Sequence, residues 1–184
     1  MEELIKCLME LEKLKLVERG LNVGNRKEST AEHSWSSMLI ADILLEYIDE
    51  SLDRLKVLEY LLYHDIVEVY AGDAKFNNPE EMRLKKEKEM ASMKKIISII
   101  PKPKRYEKII EEYEKRESRE AQFAKAVDCL DACVRNLNND KKSNLDGFTE
   151  ELIRSKYNPH VSKFKFTKEL FEILINKLKE QNKL

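Results

Sequence analysis

The sequence contains few residues that interrupt an α-helix. Four glycines and four prolines are spread over 184 residues. The segments between them repeat apolar residues every three or four positions, as amphipathic helices do. Leu4, Leu8, Leu11 and Leu14 mark the first such helix. The pattern predicts an all-α fold, a bundle of about seven to eight helices, and the length favours one domain over residues 1–184.

Residues that favour helix ends predict where the later helices lie. Ser29-Thr30-Ala31-Glu32 is a capping box that starts a second helix, and Asn78-Pro79 starts a fourth. Ser118 can cap a helix with the stripe Phe123, Val127, Leu130, Val134 and Leu137. The remaining predicted helices are a third over Leu52 to Ala71, a short one over Arg105 to Lys115, and two last ones around Leu145–Tyr157 and Val161–Leu178, divided by Asn158-Pro159.

Composition excludes several classes of partner. The net charge is −1, with 34 basic and 35 acidic residues closely mixed, so a nucleic-acid polymer is a poor candidate partner. The first residues lack the basic region of a signal peptide, and no apolar run is long enough to cross a bilayer. Three cysteines without a CxxC pair suit buried, reduced thiols. We therefore expect a cytoplasmic protein that does not bind membranes.

Two of the three histidines lie beside acidic residues on predicted helices. His33 follows the Ser29 cap, and His64-Asp65-Ile66-Val67-Glu68 lies in the third predicted helix. At about 100° per residue, Glu68 is about 40° from His64 around that helix. The predicted helix therefore places His64, Asp65 and Glu68 on one arc. Asp73 follows in the loop after Gly72.

Asp128 is the second carboxylate of interest. It shares a face with Ala121, Ala124 and Ala132, and burying it is costly unless a positive charge meets it. Two imidazoles and two carboxylates form a donor set that suits Mn²⁺, Co²⁺, Fe²⁺ or Zn²⁺. Glu68 could then accept or orient the proton of an attacking water.

Each of these residues has a structural alternative. A single histidine on an apolar helix face is usually a core residue. Asp128 could form a surface pair with Lys125, and Glu32 is better explained as part of the capping box than as a ligand. His160, after Asn158-Pro159, is expected in an exposed turn.

The combination His33 … His64-Asp65 … Asp128 resembles the H…HD…D signature of the HD superfamily. Three longer segments are similar to the HD-domain 5′-deoxynucleotidases of bacteria and eukaryotes. The resemblance runs from about Leu11 to about Asn138, and the segments are Arg26-Lys27-Glu28-Ser29-Thr30-Ala31-Glu32-His33-Ser34, His64-Asp65-Ile66-Val67-Glu68-Val69-Tyr70-Ala71-Gly72-Asp73 and Glu120-Ala121-Gln122-Phe123-Ala124-Lys125-Ala126-Val127-Asp128.

The resemblance implies a single HD domain, a homodimer and one divalent metal ion. Its ligands would be His33, His64, Asp65 and Asp128. It further implies that Glu68 serves the attacking water and that Asp73 lies at the sugar of the substrate.

The resemblance also implies an arginine that contacts the phosphate, and Arg19 matches it best. Arg26 is a second candidate, although it could instead brace the start of the helix. In bacterial members a tryptophan follows this arginine and crowds the ribose 2′-position, whereas here Gly20 follows Arg19. We expect weaker discrimination against ribonucleotides, unless Leu21 or Trp35 fills the gap.

The leading hypothesis is a metal-dependent phosphohydrolase that removes the 5′-phosphate from (deoxy)nucleoside 5′-monophosphates. One alternative is an HD phosphohydrolase of another kind, acting on triphosphates, alarmones or cyclic dinucleotides. It is disfavoured because two-metal enzymes recruit further histidines and only His160 is left. The other alternative is a non-catalytic helical regulatory protein with a vestigial metal site. The retained acids Glu68 and Asp73 argue against it.

Overall fold

A computed structural model describes residues 1–74, 78–139 and 149–184. These ranges are helical apart from one two-stranded hairpin, which confirms the all-α class. No helix within them is both long and apolar enough to span a bilayer. The elements in chain order are α1 (Glu2–Leu11), a 3₁₀ helix (Glu12–Leu16), β1 (Glu18–Val23), β2 (Arg26–Ser29), α2 (Thr30–Leu44), a 3₁₀ helix (Leu45–Tyr47), α3 (Arg54–Tyr63), α4 (Glu68–Ala71), α5 (Pro79–Ile99), α6 (Lys104–Lys115), α7 (Arg119–Leu137), α8 (Glu150–Val161) and α9 (Lys165–Glu180).

The hairpin of β1 and β2 is an element that helical periodicity did not predict. Its strands are antiparallel and joined by Gly24 and Asn25, with Gly24 at φ +58°. A Gly-Asn pair between two short strands is a hairpin signal, because glycine adopts positive φ without steric cost. The register shifts between Glu18 and Asn22, so Gly20 lies in a bulged part of β1. The hairpin leads directly into the cap of α2.

The predicted caps form as expected. Ser29 accepts a hydrogen bond from the amide of Glu32, and the Glu32 carboxylate accepts one from the amide of Ser29. Asn78 caps α5 through the amides of Glu80 and Glu81. Ser118 caps α7 by accepting a hydrogen bond from the amide of Ala121. These caps fix the starts of the helices that contribute His33 and Asp128.

The prediction of one continuous helix over Leu52 to Ala71 is wrong. α3 ends at Tyr63, residues 64–67 form turns, and α4 begins at Glu68. The ring of His64 donates to the carbonyl of Leu61, which the amide of Asp65 would bond in a continuing α-helix. Several of the backbone amides that follow donate to carbonyls three residues earlier, as the amide of Glu68 does to the carbonyl of Asp65. His64 and Asp65 therefore lie at a helix end rather than within a helix.

The boundary between the last two helices also differs from the prediction. Pro159 lies inside the last turn of α8, and the break comes after Val161. There the buried hydroxyl of Thr167 donates to the carbonyl of Val161, the last residue of α8, and to that of Phe164, the cap of α9. The predicted start at Leu145 lies outside the described residues. One consequence is that His160 belongs to a helix and not to an exposed turn.

Helix α7 runs through the main core. It contacts α2, α3, α6, α8 and α9, and Phe123, Val127 and Leu130 of its predicted stripe are fully buried. A smaller apolar cluster holds α1 and α5 against the turn after α3. The three cysteines are buried and free, as predicted. The central position of α7 places Asp128 opposite the ends of α2 and α3.

Candidate metal centre

His33 is fixed from behind by a second carboxylate. It lies in the first turn of α2, is fully buried, and donates from Nδ1 to Asp131 Oδ2 at 2.5 Å. Asp131 on α7 also accepts a hydrogen bond from Ser36. A carboxylate that binds one ring nitrogen of a histidine fixes the tautomer and makes the other nitrogen a better metal ligand. The free nitrogen of His33 is therefore Nε2.

His64 presents the same nitrogen from the opposite side. Its Nδ1 donates to the carbonyl of Leu61 at 2.8 Å, so its Nε2 carries the lone pair. The two Nε2 atoms of His33 and His64 face each other at 3.3 Å. The break between α3 and α4 produces this orientation.

Two carboxylates complete the group. Asp65 Oδ2 lies 3.0 Å from His64 Nε2 and 3.7 Å from His33 Nε2. Asp128 Oδ1 lies 3.0 Å from His33 Nε2 and 4.0 Å from His64 Nε2. Burial raises the pKa of the Asp65 carboxyl, but His64 and Arg19 outweigh it, so that the pKa falls below its usual range. The donor atoms of His33, His64 and Asp65 all lie within 4.8 Å of one another, and Asp128 Oδ1 faces the two imidazoles from α7.

The donor atoms fit a divalent cation. Two nitrogen lone pairs at 3.3 Å repel each other unless a proton or a metal ion lies between them. Burial and Arg19 lower the pKa of His33, yet hydrogen bonds to Asp128 and Asp131 raise it to about 10. A proton therefore satisfies these acceptors in the metal-free site, and a metal ion would displace it. Two imidazoles and two carboxylates suit Mn²⁺, Co²⁺, Fe²⁺ or Zn²⁺.

The alternative pairing of Asp128 with Lys125 also occurs, and it does not compete with the site. Lys125 Nζ lies 2.6 Å from Asp128 Oδ2, and the hydroxyl of Tyr113 donates to the same oxygen at 3.4 Å. The other oxygen, Oδ1, faces His33. Both partners are largely buried, so the pair is not a surface salt bridge. It holds the Asp128 carboxylate with one oxygen toward the histidines.

Glu68 lies behind this group. It is buried, and its Oε2 accepts a hydrogen bond from Thr30 at 2.8 Å. Burial raises its pKa well above the usual value for glutamate, and the negative charges of Asp65 and Asp73 add to this effect, while Arg19 opposes it. A carboxyl group with a raised pKa binds a proton readily, as a general base must.

The two arginines before His33 have different surroundings. Arg19 donates to Asp65 Oδ2 at 3.1 Å, and its Nε lies 3.5 Å from Glu28. Arg19 is therefore held beside a candidate metal ligand. Arg26 is exposed and paired with Glu32, so it braces the capping box. It is not among the described residues that line the cavity beside this group. The structure brings Arg19, but not Arg26, to the site.

A cavity of about 390 Å³ opens on the metal-binding group. Its walls include Asp65, Asp128, Arg19 and the predicted sugar contact Asp73. Five cationic side chains line the part that the structure describes and outnumber the acidic ones: Arg19, Lys85, Arg116, Lys125 and Lys156. Leu21 is buried and Trp35 is 64% exposed, and neither contributes to this lining. The cavity has the size and charge to hold a small phosphorylated molecule.

Sequence reasoning missed several residues of the site. Asp131 follows Asp128 by three positions on α7, a spacing that puts both on one face and could have identified it. The hydrogen bond from Thr30 to Glu68 depends on contacts across 38 positions, which no local pattern reveals. His160 was expected in an exposed turn, yet it lines the cavity.

Curated relatives match part of the chain. The human and mouse proteins named 5′-deoxynucleotidase HDDC2 are 32% and 31% identical over 107 residues, which is 56% of this chain. The match covers 50% and 51% of those proteins, so the chain spans about half the length of the curated relatives it matches.

Solved structures match nearly the whole chain. A "predicted metal-dependent phosphohydrolase" from Magnetospirillum magnetotacticum MS-1 has a TM-score of 0.81 at 27% identity, covering 96% of this chain and 93% of that one. The cyanophage S-2L HD phosphohydrolase DatZ, bound to dA and one catalytic Zn²⁺ ion, has a TM-score of 0.61 at 18% identity, covering 94% and 96%. The second comparison shows a shared fold.

The family comparison agrees with the site. The model of the HD domain family matches residues 11–167, a range that contains His33, His64, Asp65 and Asp128. The prediction of one domain over residues 1–184 extends beyond this match and stays a prediction. Because the match covers most of the sequence, the chain belongs to the HD domain family.

Proposed function

We propose that the protein is a metal-dependent phosphohydrolase that removes the 5′-phosphate from (deoxy)nucleoside 5′-monophosphates. One observation carries the proposal: two aspartates that face a pair of buried histidines line a cavity together with five cationic side chains. The names of the curated relatives support the choice of substrate.

His33, His64, Asp65 and Asp128 would hold one divalent cation, Mn²⁺, Co²⁺, Fe²⁺ or Zn²⁺. When bound, such a cation supplies Lewis-acid chemistry, which polarises a phosphoryl oxygen and makes water a stronger nucleophile. Glu68 accepts the proton of the attacking water, and Thr30 orients the Glu68 carboxylate. Asp131 acts as a positioning residue, because it holds His33 with Nε2 toward the site.

Arg19 is the proposed phosphate ligand. Its planar guanidinium can donate two parallel hydrogen bonds to phosphate oxygens, and it already lies beside Asp65 at the cavity wall. We expect Arg19→Ala to lower kcat/KM by about 10- to 100-fold, because hydrogen bonds to charged groups contribute about 1.5–3 kcal/mol. Inhibition by inorganic phosphate should weaken in parallel, while metal content stays near the wild-type level.

Arg26→Ala is the matched control for Arg19→Ala. Arg26 is an exposed arginine of the same hairpin whose partner is Glu32, so its loss should change kcat/KM by no more than about twofold. Equal losses in the two variants would show that Arg19 does not act on the phosphate in particular. Loss of metal from Arg19→Ala would instead assign it a role in holding Asp65.

The expected sugar preference rests on the resemblance, which places the residue after Arg19 at the ribose 2′-position; the described cavity lining does not include Gly20 itself. Glycine has no side chain to exclude a 2′-hydroxyl, and neither Leu21 nor Trp35 contributes to the described cavity lining. We expect phosphate release from both dAMP and AMP, and we expect Gly20→Trp to shift the preference toward dAMP. A panel of ribo- and deoxyribonucleoside monophosphates, with each candidate metal, measures both. Strong preference of the wild type for dAMP would show that another side chain blocks the 2′-position. A panel with no phosphate release under any metal would reject the proposed function.

The homodimer implied by the resemblance stays a proposal, and one surface supports it. Trp35, Leu39 and Ile43 lie four residues apart on α2 and are 48% to 64% exposed. A stripe of large apolar side chains on an exposed helix face is typical of a subunit interface. Sedimentation of the wild type and of Leu39→Glu tests this, and a wild-type monomer at micromolar concentration contradicts it.

A further inference from the structure

The cavity has a wall that the proposed chemistry does not use. Where α7 meets α8, it is lined by Cys129, Ala132, Tyr157 and His160, with Lys156 of α8 beside them. These side chains differ from those around the metal-binding group, which are mostly charged. Cys129 directly follows the candidate ligand Asp128, and Ala132 lies about one helical turn beyond it, so this wall adjoins that ligand.

The side chains of this wall suit a flat aromatic ring. Tyr157 and His160 are three residues apart on α8 and therefore lie on one face of the helix. Both are partly buried and line the cavity, and the Tyr157 ring also packs against Phe171, with ring centroids 6.2 Å apart. Aromatic side chains bind nucleobases by stacking, with little dependence on the base. Ala132 contributes only a methyl group to this wall, so it takes up little of the cavity.

We propose that the wall formed by Cys129, Ala132, Tyr157 and His160 holds the nucleobase of the substrate, and that His160 hydrogen-bonds to that base. This inference rests on the proposed function for the class of substrate. It makes His160 a specificity-determining residue, although it lies outside the segments that resemble known 5′-deoxynucleotidases.

The charge state of His160 agrees with this role. Burial lowers its pKa to about 4, and the cations Lys125 and Arg116 lower it further, while Asp128 opposes them. Because the pKa lies below 7, the imidazole is neutral under physiological conditions. A neutral imidazole offers one donor and one acceptor, which matches the edge of a base. It is unsuited to act as a counterion for phosphate or as an acid that protonates a leaving group.

The test compares substrates with and without a base. We expect His160→Ala to lower kcat/KM for dAMP by about 3- to 10-fold, the loss of one hydrogen bond, with no change for deoxyribose 5-phosphate. Calorimetry provides a measurement without turnover: the Kd for deoxyadenosine should rise by the same factor, and the Kd for inorganic phosphate should stay constant. His160→Gln keeps a donor and an acceptor and should restore part of the loss.

Ser155→Ala is the matched control, since Ser155 is an exposed residue of the same helix. Equal losses for dAMP and deoxyribose 5-phosphate in His160→Ala would overturn the inference, as would no loss for either. A wild-type protein that binds deoxyadenosine through His160 but hydrolyses no nucleotide would reject the proposed function and keep the base site. If the wild type hydrolyses dAMP and His160→Ala leaves kcat/KM unchanged, the proposed function is kept and the base site is rejected.

Discussion

Purified His64→Ala and Asp65→Ala proteins are expected to contain almost no divalent metal, whereas the wild type should hold about one ion per chain. Each change removes one of the few donors around a single point: His64 Nε2 and Asp65 Oδ2 lie 3.0 Å apart and face His33. The remaining donors cannot complete a coordination shell for a transition metal. Elemental analysis after exhaustive dialysis measures the result.

The third histidine of the chain provides the control. His160→Ala removes an imidazole from the same cavity but none from the metal-binding group, so its metal content should equal that of the wild type. Asp131→Asn tests the hydrogen bond between His33 Nδ1 and the Asp131 carboxylate. Loss of this carboxylate should weaken metal affinity by about 10- to 100-fold. Equal metal content in all four variants would remove the site as described.

The helices could be predicted because their signals are local. The caps at Ser29, Asn78 and Ser118 and the apolar stripe of α7 each depend on residues within a few positions of one another. The four candidate ligands were also predicted, and the structure brings them together across 95 positions between His33 and Asp128.

The features that were missed depend on contacts between distant segments or on competition for one atom. The apolar spacing of Leu55, Leu58 and Leu62 continues to Ile66, yet the ring of His64 takes the carbonyl of Leu61 and the helix ends. α8 continues past Pro159 to Val161, although this proline cannot donate a backbone hydrogen bond. The role of Arg19 beside Asp65 depends on a hairpin whose Gly24-Asn25 turn was overlooked. In each case the deciding contact is one that apolar spacing alone does not show.

Glu68→Gln is expected to keep its metal and to lose most turnover. The carboxylate of Glu68 lies near Asp65 and Asp73 without being one of the four candidate ligands, so its proposed task is to accept the proton of the attacking water. A positioned general base contributes about 10²- to 10⁴-fold to the rate, and kcat should fall by about that factor. Glutamine has nearly the same shape, and its carbonyl oxygen can still accept the hydrogen bond from Thr30.

Three measurements separate loss of the base from damage to the fold. Metal content should match that of the wild type. The melting temperature should stay equal or rise, because burial of the ionised Glu68 carboxylate is costly, as its raised pKa indicates, and an amide removes that cost. In the wild type, kcat should decrease as the pH falls through the pKa of Glu68, since only the ionised form accepts a proton, and this acid limb should vanish in Glu68→Gln. Near-normal kcat in the metal-loaded variant would assign proton transfer to another group, and Asp73 at the cavity wall would be the next residue to substitute.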